Sequence, residues 1–187
     1  MKIGYITLAD PAIHPPDKYG PEIEKAISRI FEERAEFIRV VAHDRAELQI
    51  ALLRLCDEEK CPLVITSGGV GPGPRDIVPE VTLAVLEREL PGFGEAIRHH
   101  SFQRGPIALL SRAVAGVRGA SLVMNLPSRP KPILGCLKLL REAMVECIEQ
   151  ITGVRHQLHV DEIEIPLEKW MPFLKRFRIK PDPRWVE

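Results

Sequence analysis

Residues 63–76 read LVITSGGVGPGPRD. Three aliphatic residues lead into a segment holding four glycines and two prolines, which closes on Arg75-Asp76. Glycine loses more backbone freedom on folding than any other residue, so such a loop is costly to order. The chemistry that would repay it is anion binding. Glycines let backbone N–H groups approach a phosphate, and a helix starting just after adds partial positive charge. Asp76 would repel that phosphate unless a cation lay between them, and Mg²⁺ commonly sits on one or two carboxylates plus substrate phosphates. The plain alternatives are a tight strand-to-helix crossover, with Asp76 as its turn or cap residue. The loop has no Gly-Lys-Ser/Thr and no G-x-G-x-x-G, so neither the P-loop nor the dinucleotide fingerprint applies.

The elements that must position this loop alternate. Residues 3–8, 37–41 and 63–66 read as strands, the last apolar on both faces, as in a covered parallel sheet. Residues 20–34 read as a helix: Pro21 suits its first turn, and Ile23, Ala26, Ile27, Ile30 and Phe31 follow helical spacing. Residues 44–59 form a second, with Asp44 and Glu47 in a capping-box pattern. Helices are expected at 79–89, 95–102 and 132–151, the last with Ile133, Leu137, Leu140, Met144, Cys147 and Ile151 on one side. Strands are expected at 107–110 and 122–125. This order predicts a three-layer α/β/α domain with a mostly parallel central sheet. It makes 1–187 a single domain, with 152–187 as a C-terminal extension packed on the core.

Composition sets bounds. The 187 residues carry 26 basic and 26 acidic side chains, so nothing global favours nucleic acid or an anionic membrane. Cations for an anionic ligand must be gathered locally. Cys56, Cys61, Cys136 and Cys147 form no C-x-x-C and read as buried thiols of a reducing compartment. The first apolar run is cut off by Asp10 and Pro11, too short for a signal peptide, and no apolar stretch approaches a membrane helix. A cytoplasmic protein is expected. His156 and His159 fall on opposite faces of an apparent strand, which disfavours a metal. Trp170, Phe173 and Phe177 read as a packing stripe.

Two blocks carry a resemblance. TSGGVGPGPRDIVPEVTLAVLERELPGFGEAIR (66–98) and ALLSRAVAGVRGASLVMNLPSRPKPILGCL (108–137) together span about a third of the chain. They resemble the molybdopterin-binding fold family, and within it the MogA-type molybdopterin adenylyltransferases. The resemblance implies adenylylation of molybdopterin by Mg-ATP, with release of pyrophosphate, in molybdenum cofactor biosynthesis. It also implies a homotrimer and contact with a downstream metal-insertion protein. The nucleophile would be the substrate's own phosphate, so positioning, Mg²⁺ and charge stabilisation suffice.

Carried over by residue, Gly68, Gly69 and Gly71 are nucleotide-contacting glycines, and Asp76 is the catalytic aspartate and metal ligand. A second catalytic aspartate falls at Asp44, with His43 beside it at the ungapped position; Asp44 is equally the apparent helix cap. The pterin side maps to Ser111, Arg112, Asn125, Pro127, Ser128, Pro130 and Lys131, with Arg129 adding charge. Asp17 resembles an aspartate of the family's first loop. Val70 replaces a usual threonine and Ser128 a usual glycine. Those departures leave open a non-catalytic molybdopterin-binding relative or scaffold module of the same fold. A nucleotide-processing enzyme of the competence-damage type is the other rival, and the N-L-P-S-R-P-K block argues against it.

Overall fold

The computed structural model describes residues 1–9 and 19–154. Asp17, the His156/His159 pair, the Trp170–Phe177 stripe and all but the first three residues of the expected extension lie outside the described residues.

Six strands form one sheet: β1 (Ile3–Leu8), β2 (Ala35–Val41), β3 (Leu63–Ser67), β4 (Arg88–Glu89), β5 (Ala115–Arg118) and β6 (Ser121–Leu126), in the order β2-β1-β3-β6-β5-β4. β2, β1, β3 and β6 run parallel, while β5 is antiparallel to β6 and β4 to β5. The helices are α1 (Gly20–Phe31), α2 (Arg45–Leu53, continued by a π-helical turn to Glu58), α3 (Val78–Val85), α4 (Pro91–Phe102) and α5 (Pro130–Thr152).

Strand alternation explains the layers. Ile3, Tyr5, Leu63, Ile65, Leu122, Met124 and Leu126 face one core with α1 and α5. Ile6, Val64 and Val123 face the other with α2 and α3. Both faces of β1, β3 and β6 are therefore apolar, as strands covered on both sides require, while the edge strand β2 is largely exposed. All five helical-period residues expected of α1 are buried. On α5, Ile133, Leu137, Leu140 and Met144 are buried, and Cys147 and Ile151 pack partly buried against the same core.

Three expectations change. Residues 107–110 are not a strand: Pro106–Leu110 form a 3-10 helix. Its apolar run has no neighbouring strand to bond among the described residues, and Pro106 suits a first helical turn. The strand that does pair with β6 is Ala115–Arg118, joined to it through Gly119 and Ala120, with Gly119 at φ 54°. Such two-residue hairpins favour glycine at positive φ. The helix expected at 79–89 ends at Val85, because Leu86 turns extended and Arg88–Glu89 pair with β5. Gly116 admits that close pairing: a Cβ there would stand 2.3 Å from the Arg88 carbonyl oxygen.

Candidate active site

β1 leads toward β2 on one side of the sheet and β3 leads toward β6 on the other. The carboxyl ends of β1 and β3 thus form a topological switch point, where open α/β sheets bind ligands. Buried hydroxyls knit the edge: Tyr5 Oη lies 2.7 Å from Ser67 Oγ, which donates to Thr7 Oγ1 at 3.5 Å. The glycine loop leaves from there. Gly68 N–H donates to the Leu126 carbonyl at 3.2 Å, and Gly68 and Gly69 take φ of 89° and 62°. A Cβ at Gly69 would fall 2.7 Å from Val78 Cγ2. Val78 N–H closes the loop on the Gly69 carbonyl at 3.2 Å.

Asp76 sits under the glycines. Its Oδ2 accepts from Gly73 N–H at 2.9 Å, and a Cβ at Gly71 or Gly73 would stand 2.8 or 2.9 Å from that oxygen. Oδ1 makes no hydrogen bond among the described residues. The loop after β2 joins here, as His43 Nδ1 lies 2.9 Å from the Arg75 carbonyl oxygen. Asp44 caps α2, accepting from Glu47 N–H at 2.9 Å, and its carboxylate is exposed. No group of three or more His, Cys, Asp or Glu that could cage a metal occurs among the described residues. One open carboxylate oxygen suits an ion that shares its shell with phosphates.

The residues mapped to the pterin side divide. Asn125 is fully buried; its Nδ2 donates to Thr66 Oγ1 (2.9 Å) and Thr82 Oγ1 (3.0 Å), and its Oδ1 accepts from Val114 N–H. It joins β3, β6 and α3. Ser111 Oγ accepts from Ala113 N–H. Arg112 turns toward the glycine loop, its backbone N–H on the Val70 carbonyl at 2.8 Å and its Nε on the Gly71 carbonyl at 2.7 Å. Pro127, Ser128, Pro130 and Lys131 run from the end of β6 into α5. Pro130 and Lys131 line an open cavity of about 730 Å³ together with Arg104, Arg129, Tyr19 and Glu22. Arg104 donates to the Lys131 carbonyl at 3.4 Å. It lies 27 residues away in sequence with no spacing signal, and sequence reasoning missed it. Ser128 adjoins the glycine loop, its Cβ 3.9 Å from where a Cβ of Gly68 would be. Val70 is 8 % exposed and belongs to the apolar cluster under α2 and α3, so the missing hydroxyl faces core.

The comparisons with known proteins agree on one family. The family model described as "Probable molybdopterin binding domain" matches residues 16–147. A molybdopterin adenylyltransferase of Helicobacter pylori (strain J99) is 40% identical over 149 residues, covering 79% of this chain and 85% of the relative. One of Escherichia coli (strain K12) is 38% identical over 146 residues, covering 76% and 75%. The crystal structure of the molybdopterin biosynthesis enzyme MoaB from Thermus thermophilus superposes with a TM-score of 0.71 at 30% identity, covering 82% of this chain and 98% of that one.

Proposed function

Because the chain belongs to the family described as "Probable molybdopterin binding domain", we propose that it is a molybdopterin adenylyltransferase of molybdenum cofactor biosynthesis. The phosphate of molybdopterin attacks the α-phosphorus of ATP. A P–O bond forms there, the bond to the β-phosphate breaks, and pyrophosphate leaves. The observation that carries this reading is the glycine loop at the switch point, with one Asp76 oxygen left open beside it.

The chain's own part is positioning. The attacking phosphate is anionic at neutral pH and needs no side-chain nucleophile. The loop at 68–76 holds the triphosphate. Asp76 would hold Mg²⁺, which neutralises phosphate charge as pyrophosphate departs. The cavity at the start of α5 takes the pterin and its phosphate. Arg104, Arg129 and Lys131 there concentrate the positive charge that a neutral chain otherwise lacks. Ser128, beside Gly68, joins the two halves. Asp44 stands on the same sheet edge, as cap and candidate catalytic aspartate.

The homotrimer implied by the resemblance has a candidate surface. Phe102, Ile107, Leu109 and Leu110 are 45, 78, 66 and 52 % exposed and lie close together in sequence, at the end of α4 and along the 3-10 helix. Sedimentation would report a monomer after Ile107→Glu with Leu109→Glu if that surface holds the trimer. No helix among the described residues is long and apolar enough to cross a membrane.

The test is direct. The purified chain, incubated with ATP, Mg²⁺ and molybdopterin, should release pyrophosphate and adenylylated molybdopterin in equal amounts. Tight molybdopterin binding without pyrophosphate would instead mark a non-catalytic relative.

A further inference from the structure

Arg112 commits its three guanidinium nitrogens to the glycine loop and the helix that follows it. Besides Nε on the Gly71 carbonyl at 2.7 Å, Nη2 donates to the Asp76 carbonyl and Nη1 pairs with the Glu80 carboxylate on the first turn of α3. With its backbone N–H on the Val70 carbonyl, one residue holds both ends of the loop. Across a trans peptide, the N–H of each residue points opposite to the carbonyl before it. The carbonyls of Val70 and Asp76 are drawn toward Arg112, so the N–H groups of Gly71 and Ile77 face away from it. The carbonyl of Gly71 precedes Pro72, which has no N–H to misdirect. Neither the Gly71 nor the Ile77 N–H makes a hydrogen bond among the described residues.

We propose that Arg112 is the positioning residue of the nucleotide half-site, fixing the direction of the Gly71 and Ile77 N–H groups toward a polyphosphate, with Glu80 holding its guanidinium plane. The proposal rests on the adenylyltransferase reading and moves Arg112 from the pterin side to the nucleotide side. A guanidinium suits the task because its planar fork meets several acceptors at once, which an ammonium on a flexible stem does not. Burial acts to raise the Glu80 carboxyl, but its own backbone N–H and Arg112 hold it below the ordinary carboxylate range, so the pair stays ionised.

The experiment uses Arg112→Met, Arg112→Lys and Glu80→Gln in the full chain. Affinity for α,β-methylene-ATP and for molybdopterin is titrated separately, and kcat and KM are measured for each. Arg112→Met should weaken the nucleotide analogue about 10- to 100-fold, the range of one lost charge-assisted hydrogen-bond set, raise KM for ATP and lower kcat. Molybdopterin affinity should stay within about twofold, well inside the effect of one hydrogen bond. Arg112→Lys should not rescue the nucleotide affinity. Glu80→Gln should move the same quantities in the same direction, and the Arg112→Met/Glu80→Gln double variant should be no worse than Arg112→Met alone.

Loss of molybdopterin affinity with nucleotide affinity intact would overturn the proposal and make Arg112 a pterin-phosphate ligand. Full rescue by lysine would overturn it too, since charge alone would then suffice. Should Arg112→Met fail to fold, unchanged nucleotide affinity in Glu80→Gln would refute the clamp. A wild-type chain that binds the analogue but transfers no adenylyl group would refute the activity and leave the clamp standing.

Discussion

Asp76 Oδ2 reaches back to Gly73 N–H at 2.9 Å, while Asp76 N–H donates to the Gly73 carbonyl at 3.0 Å. The two residues clasp each other across the turn, so one carboxylate oxygen is structural and the other is open. Asp76→Asn keeps an acceptor for Gly73 but removes the charge. It should melt close to wild type and turn over about 10²-fold more slowly or worse, the scale of a lost preorganised electrostatic group. A near wild-type rate would withdraw the metal role from Asp76.

Asp44 is seen as a cap, accepting from Glu47 N–H. Asp44→Ala should cost about 0.5–2 kcal/mol of stability. Asp44→Ser separates the two roles, because serine caps but supplies no carboxylate. If Asp44 also serves the reaction, the serine variant should melt normally and lose turnover. Full activity in that variant would leave Asp44 a cap alone.

Asn125→Ala removes a buried amide and leaves the hydroxyls of Thr66 and Thr82 without its N–H donors. Urea unfolding should show a loss of about 1–3 kcal/mol, the cost of an unsatisfied buried group. Molybdopterin affinity, measured where the variant is folded, should not change, because the side chain is spent within the core.

Lys131→Ala and Arg104→Ala should each weaken molybdopterin binding by about 1–3 kcal/mol, the scale of a charge-assisted hydrogen bond, and leave ATP affinity unchanged. Separate calorimetric titrations decide it; equal loss of both ligands would mean one shared phosphate pocket. Gly69→Val is no counterpart test, since its positive φ and the nearness of Val78 would distort the loop whatever binds there.

Burial pushes the Cys56 thiol from 9.0 up to about 11, against a hydrogen bond from Ser121 that pulls it down. The folded state therefore keeps the proton longer than the unfolded chain. That contribution is fully present below about pH 9 and is lost as pH rises toward 11. Urea midpoints between about pH 8 and 11 should fall with a slope that is shallower in Cys56→Ala. Equal slopes would mean that the thiol does not titrate differently on unfolding.

The sequence by itself determined the class of the fold and the place of the loop. Helical spacing on α1 and α5, double-sided apolar strands and the glycine segment between strand and helix are local patterns, and each appears where expected. The Asp44 cap was legible for the same reason, since its partner is three residues away. What the chain could not announce is which distant groups would meet. The apolar run at 107–110 gained no strand neighbour among the described residues, and whether such a run becomes a strand depends on a partner elsewhere. In one dimension Asn125 reads as a pterin-side residue and Val70 as a departure from a usual threonine in the glycine loop. Only the stacking of α2 and α3 on the sheet put Val70 in core and enclosed Asn125 between Thr66 and Thr82. Arg112 reads as one more cation beside the pterin segment. The return of the chain through β5 to β6 brings it against the carbonyls of Gly71 and Asp76 and the carboxylate of Glu80, 32 to 41 residues back, a meeting set by topology and not by any local spacing.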